Sequence, residues 1–463
     1  MVNDRWPTTN NRQPENCSAN LTTHSPRGKE YRRSVEIAFL QIEFVFRRKR
    51  GYFVAEVKSL GRGESKGERF MQKVTIKRLV LGALGVLMLA IVLVFMLVPQ
   101  RVDRSFNQLS AAVAVAVSTE TAQLHQSLFV ADLHADALLW KRDLLERHDY
   151  GLVDLPRLQA GNMALQVFSV VTKVPRTLNY DRNEGDSDFV TALALVQLWP
   201  VPTWISLKAR ALYQAEKLHA FSRRSKGRLV LIKTQKELAA FVEQRKQEPQ
   251  LVAGVLAMEG MHALEGKLEN VEEFFAAGYR MLAPTHFFDN ELGGSAHGVS
   301  KAGLTEFGAS VIKRMEALGL IVDVAHASPK MIDDILRLAT RPIVSSHTGV
   351  KGTCEGPRNL SDEHLRGIAA TGGVVGIGLW EGAVCAENVQ ATVAAMRYTA
   401  NLIGVDHVGL GSDFDGAIRA PIEASGMAQI TQALLAAGFT PEEIYKIMGG
   451  NVLRVLSRAL PQE

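Results

Sequence analysis

From residue 128 onward the chain alternates short, wholly apolar runs with longer stretches whose apolar residues recur every three or four positions. The apolar runs fall at 128–133, 164–171, 252–258, 280–285, 320–325, 342–346, 373–378 and 408–412. Runs of this length without in/out alternation read as strands buried on both faces of a parallel sheet. The stretches between them read as helices at 187–198, 205–221, 235–245, 270–277, 303–318, 329–338, 362–370, 389–403, 425–437 and 441–448. Eight strands separated by helices predict an α/β fold, a (β/α)8 TIM barrel. A further run at 229–232 predicts a peripheral strand, and the long stretch 175–226, with Trp199 and Trp204, predicts an insertion that covers the site.

Upstream the pattern changes. Residues 79–98 are twenty consecutive uncharged positions, enough for a helix to cross the hydrocarbon core of a bilayer. Lys73, Lys77 and Arg78 precede this span, whereas Arg101, Asp103 and Arg104 follow with mixed sign. The positive-inside rule then leaves the N-terminus cytoplasmic and sends the barrel across a cell (inner) membrane, into the periplasm if the host has two membranes. A cleaved signal peptide is the competing reading, but the run exceeds a usual h-region and Val98-Pro99-Gln100 is a poor cleavage site. Residues 1–78 are basic and read as a disordered arm touching anionic lipid; 1–70 show no sustained periodicity and would be untranslated if synthesis starts at Met71. Residues 99–127 predict a connecting helix, and 128–463 the catalytic domain.

Composition adds three points. A chain of 463 residues, 47% hydrophobic, can bury a large core. The net charge of +5 divides into +9 over residues 1–78 and −4 over the remainder, so the basic excess is not a feature of the barrel. Since that excess is not interleaved with aromatics on any recognisable module, nucleic-acid binding finds no support. Of three cysteines, Cys17 precedes the span, while Cys354 and Cys385 follow it. An oxidising compartment would allow those two to pair, although the sequence alone does not bring them together.

The candidate chemistry lies where the strands end. His134 and Asp136 close the first run, Glu259 the third, His326 the fifth and His347 the sixth. In His134-Ala135-Asp136 the two-residue spacing points both side chains to the same side, so they could share one divalent ion, with His326 and His347 holding a second. Glu259 has two oxygens and could bridge both, around a shared hydroxide that is nucleophilic at neutral pH. Asp413, in Gly411-Ser412-Asp413-Phe414-Asp415-Gly416, suits proton transfer; Asp415 is the lesser candidate. His286 could polarise a scissile carbonyl, and Arg358, in Gly356-Pro357-Arg358-Asn359, could hold a substrate carboxylate. Each alone has a plainer reading: a hydrogen-bonded core histidine, a buried ion-pair acid, a helix cap or a solvated arginine.

Over roughly 125–460 the chain resembles the membrane (renal-type) dipeptidases, the M19 metallopeptidases with amidohydrolase-like barrels. The matching stretches are Asp132-Leu133-His134-Ala135-Asp136, Met258-Glu259-Gly260, Leu282-Ala283-Pro284-Thr285-His286 and Ile321-Val322-Asp323-Val324-Ala325-His326. They continue with Ser346-His347, Gly356-Pro357-Arg358-Asn359, Gly411-Ser412-Asp413-Phe414-Asp415-Gly416 and Gly449-Gly450-Asn451, the last expected to end the helix from Pro441. The resemblance implies a zinc-dependent dipeptidase with two Zn2+ ions: His134 and Asp136 on one, His326 and His347 on the other, and Glu259 between them. It further implies Asp413 as the proton-transfer acid, His286 and Arg358 as the substrate-binding pair, a disulfide between Cys354 and Cys385, and a homodimer. Two positions depart from the family pattern: Ala135 stands for a usual Asn and Met261 for a usual second Gly. Competing functions are a related amidohydrolase acting on N-acyl amino acids, lactams or lactones, and an inactive scaffold barrel. No carboxylated-lysine candidate ends a strand, and no expected ligand is missing.

Overall fold

The structure, a computed structural model, describes residues 66–463, with side chains from Phe70 onward, and the backbone of Glu43–Lys49 and Tyr52–Lys58. The chain divides into two units, Met1–Leu81 and Gly82–Glu463. In the first, Glu43–Lys49 pairs antiparallel with Tyr52–Lys58. Both segments are rich in aromatic and β-branched residues, which suit a pleated strand, so this part of 1–78 departs from the irregular arm expected. The rest of that expectation before residue 66 lies outside the described residues.

The helix Lys66–Phe106 contains the expected 79–98 span and overruns it at both ends, where Lys, Arg and Gln continue the helix. It is long and apolar enough to cross a membrane, with a mean hydropathy of 3.0 over its most apolar window, none of it buried. The single connecting helix expected over 99–127 is not formed. The long helix stops at Phe106, Gln108–Leu109 pairs parallel with Arg419–Ala420, and a new helix covers only Thr119–Ser127. The reason lies in Ala111-Ala112-Val113-Ala114-Val115-Ala116-Val117, whose period of two opposes a helix. Ser118 then caps the new helix, its side chain accepting from the Thr121 N–H.

The barrel strands are β1 Val130–Ala135, β2 Met163–Phe168, β3 Val252–Glu259 and β4 Tyr279–Ala283, then β5 Ile321–Val322, β6 Val344–Thr348, β7 Val374–Ile377 and β8 Val408–Leu410. Sequential neighbours pair in parallel, β8 returns to β1 with Leu410 opposite Asp132, and a bridge from Asp323 to Val344 joins β5 to β6. The sheet therefore closes as expected. Every residue of β1 and of β3 is buried, which is why these strands read as continuous apolar runs. Leu229–Leu231 pairs with the start of β3, on the edge that β4 takes further along, and is peripheral as expected.

Two joints of the barrel carry little backbone ladder: β8 to β1, and β5 to β6. At each, a buried aspartate supplies what the ladder lacks. Asp132 accepts the Ser412 N–H and hydroxyl, both at 2.7 Å, and Asp323 accepts the Ser346 N–H at 2.9 Å.

At the end of the chain the helix begun at Pro441 widens over Lys446–Gly450 and stops at Gly449, whose φ of 169° and ψ of −20° are not helical, as expected of Gly449-Gly450-Asn451; a separate helix then runs over Asn451–Ala459. Gly449 also permits close approach, since a Cβ there would lie 1.9 Å from the Phe129 carbonyl oxygen at the base of β1. Asn451 donates from Nδ2 to the carbonyls of Val405 and Val408, tying this helix to β8.

Candidate metal centre

The functional side chains all leave the C-terminal ends of the strands. On β1 the period of two carries Asp132 and His134, and then Asp136, to one side, while Ala135 between them is fully buried on the other. Glu259 is the last residue of β3. Gly260 after it has φ +85°, and a Cβ there would strike the His262 ring at 2.2 Å, so the sharp exit from β3 requires glycine. Three non-glycine residues of the site also have left-handed backbones: His326 (φ 64°), Asp413 (φ 60°) and Asp415 (φ 64°). Such conformations cost about 1–3 kcal/mol each and persist where the surroundings impose them. For His326 the Ala296 N–H and the Thr285 hydroxyl hold its carbonyl, at 2.8 and 3.3 Å.

Glu259 is the meeting point. Its Oε1 lies 3.2 Å from His286 Nε2, and its Oε2 lies 3.3 Å from His326 Nε2, 3.6 Å from His134 Nε2 and 3.8 Å from His347 Nε2. His134 Nε2 is also 3.4 Å from Asp136 Oδ1 and 3.9 Å from Asp413 Oδ1, and His326 and His347 approach within 3.0 Å at Nε2. The five expected ligands are thus brought together, and so are Asp413 and His286. Three overlapping trios place their ligand atoms within 4.8 Å of one another: His134, Glu259 and His347; Glu259, His286 and His326; His134, Asp136 and Asp413. His286 therefore stands closer to the ligand cluster than a purely substrate-facing residue would.

The chemistry of this set fits divalent cations. His134 Nε2, Asp136 Oδ1 and Glu259 Oε2 are buried with no hydrogen-bond partner, which is costly unless something else satisfies them. Burial, reinforced by neighbouring positive groups, pushes His286, His326 and His347 well below the usual imidazole range, into the neutral form a metal binds. At His134 burial acts the same way, but Asp136 and Glu259 outweigh it and raise the ring to about 10. Burial and then Asp136 drive Glu259 well above the carboxylate range. Asp413 is raised to about 8, again by burial, with His134 opposing and Asp136 adding. Three crowded carboxylates and an imidazole that holds its proton make a pocket short of positive charge, which a bound metal cation would supply.

Several contributors were not singled out in the sequence. Ser346 Oγ lies 2.9 Å from His347 Nδ1 and 3.3 Å from His134 Nδ1, so one hydroxyl orients two rings whose Nε2 atoms face Glu259. Asp132 and Asp323 hold the strand ends, and each was visible as a charge inside an apolar run two or three residues ahead of a histidine. Asp415 is structural: it is fully buried and accepts from Arg142 Nη2 at 2.5 Å and from the Leu152 N–H at 2.7 Å.

Arg358 is buried beside the cluster, donating from Nη2 to the His347 carbonyl at 2.5 Å and reaching 3.5 Å from His326 Nε2. Its loop is joined to the segment after Trp380 by a disulfide between Cys354 and Cys385. A cavity of about 150 Å³ contains Glu259, His286, Arg358 and Asp413, and its upper wall includes Leu178, Tyr180 and Phe189 from the expected covering insertion.

A sequence model of the family described as membrane dipeptidase (peptidase family M19) matches residues 118–461. Among curated proteins, the chain is 33% identical over 254 residues to an uncharacterised protein in the pqqA 5′ region of Klebsiella pneumoniae, covering 51% of this chain and 92% of that one. It is 27% identical over 352 residues to the dipeptidase aclJ of Aspergillus oryzae, covering 71% and 77%. Among solved structures, dipeptidase AC, a metallopeptidase of family M19, superposes with a TM-score of 0.59 at 25% identity, over 72% of this chain and 99% of that one. A Rhodobacter sphaeroides metallopeptidase bound to a phosphinate mimic of the dipeptide L-Ala-D-Ala shares the fold, with a TM-score of 0.59 at 23% identity, over 72% and 99%.

Proposed function

The chain belongs to the membrane dipeptidase family, the M19 metallopeptidases, and from that premise we propose that it is a membrane-anchored dipeptidase whose cluster binds two zinc ions. His134 and Asp136 would hold one ion and His326 and His347 the other, with Glu259 placed between the two pairs. The observation that carries this reading is the convergence of four imidazoles on the two oxygens of Glu259, between 3.2 and 3.8 Å, with Arg358 at the same cluster.

When bound, a pair of divalent ions supplies a strongly acidified water as nucleophile at neutral pH. The chain's own residues do the rest. Asp413 faces the cavity, where it would take the proton of the attacking water and return it to the departing amine; a neighbouring cation would favour the ionised carboxylate that this needs, against the burial that raises it to about 8. His286, held neutral by burial, keeps one ring N–H to donate to the carbonyl oxygen as it gains charge. Arg358 holds the terminal carboxylate, and because its guanidinium is buried, a longer peptide would have to place an uncharged amide against that cation. That discriminates in favour of dipeptides. The helix Lys66–Phe106 anchors the domain with the N-terminus cytoplasmic, and a disulfide in the catalytic part accords with an oxidising outer compartment.

The test uses the purified full-length protein, with metal content measured alongside turnover of a stereochemically varied dipeptide panel. The expected result is two zinc per chain and cleavage of dipeptides but not tripeptides. Arg358→Ala should raise KM on the order of a hundredfold for free dipeptides, consistent with loss of a charge-assisted pair, and far less for carboxyl-blocked analogues. Equal effects on both substrates would remove Arg358 from the carboxylate site, and failure to bind metal would overturn the whole reading.

A further inference from the structure

The membrane-length helix ends at the rim of the active-site cavity. Its last residue, Phe106, lines the same cavity as Glu259 and Arg358. The ring packs 5.7 Å from Phe189 and 6.3 Å from Trp140, and Phe106, 38% exposed, lines both this cavity and the open groove outside it.

The helix end is fixed there by buried polar bonds. Asp103 accepts from Arg142 Nε at 2.7 Å, and the same guanidinium donates to Asp415 in the loop that carries Asp413. Asn107 accepts the Ala417 N–H at 3.0 Å, and the Trp140 indole donates to the Asp415 carbonyl at 2.8 Å. A tether needed only to hold the enzyme at a membrane would require none of these contacts. They place an aromatic ring at a defined point of the cavity.

The geometry points to Phe106 as a specificity-determining residue, the wall of the subsite for the amino-terminal side chain of the dipeptide, which it selects to be large and apolar. This rests on the dipeptidase reading above. Trp140 follows Asp136 by four residues, so the aromatic wall stands on the Asp136 flank of the cluster, whereas Arg358 stands on the flank of His326 and His347. A dipeptide with its carboxylate on Arg358 and its carbonyl at Glu259 extends its first residue toward Asp136 and the wall. Leu139, Trp140, Val171, Phe189 and Leu193 complete that wall, with no charged group among them.

The experiment compares kcat/KM for two series, Phe-Ala and Leu-Ala against Ala-Ala, and Ala-Phe against Ala-Ala, in full-length wild type, Phe106→Ala and Phe106→Leu. Phe106→Ala is expected to reduce the Phe-Ala to Ala-Ala ratio by about tenfold, as loss of an apolar contact in a pocket does, mainly through KM, with Phe106→Leu restoring most of it. The Ala-Phe ratio is expected to hold. Unchanged ratios in both series, or a change confined to Ala-Phe, overturn the assignment. A uniform loss across all substrates, unrescued by leucine, marks a structural role and also overturns it. If wild type cleaves no dipeptide, the dipeptidase reading fails instead, and the two failures are told apart by that control.

Discussion

Glu259 offers one oxygen to His286 and the other to His134, His326 and His347. Exchanging it for Gln keeps the shape but removes one ligand oxygen and the negative charge. Glu259→Gln should cut metal content and lower kcat by at least about a hundredfold, more than loss of a supporting residue outside the coordination sphere would cause. Metal analysis together with kcat is the check, and a fully active variant holding two ions would contradict the bridging role. At this scale the sequence was most informative where a chemical residue ended an apolar run, as at His134, Glu259 and His347. It was silent on Ser346, because a serine beside a histidine is common and only the folded register turns its hydroxyl toward the rings of both His347 and His134. The departures at Ala135 and Met261 have a simple setting: both residues are fully buried in the main apolar core.

The loop that carries Arg358 and the turn that begins at Trp380 are joined by the disulfide and by Asn359, whose Nδ2 donates to the carbonyls of Cys354 and Ala383. The bond closes a loop with a sequence separation of 31 residues, for which chain entropy predicts a contribution of about 3–4 kcal/mol. Replacing both cysteines by serine should lower the denaturation midpoint by that measure and raise KM several-fold while metal content holds. A KM indistinguishable from wild type would show that the Asn359 bonds suffice to position Arg358. Elements were legible in proportion to their burial and length. The barrel strands stood out because both faces are covered, and Pro329–Leu338 and Val389–Ile403 match their expected bounds. The helix Leu155–Ala160 did not stand out, since six residues offer barely two turns of periodicity. The final helix did not stand out because it begins directly after the kink at Gly449, which in sequence reads as an end and not as a change of direction.

For the whole molecule, the closed order of strands followed from their number and spacing, but the thin joints did not, because ladder length depends on twist and tilt that no local pattern records. Those joints coincide with the functional cluster. His134 on β1 and Asp413 beyond β8 face each other across one, and His326 beyond β5 and His347 on β6 across the other. On the proposed assignment, the cation held by His326 and His347 would act as a rivet across the β5–β6 joint, whose own hydrogen-bonded seam is short. An ion present at a thousandfold excess over its Kd adds about 4 kcal/mol, so chelation should lower Tm by on the order of 10 °C. Amide exchange should then quicken first at β5 and β6, while the long arc from β2 to β4 keeps its protection; uniform quickening around the ring would show that the rivet is not what holds it shut.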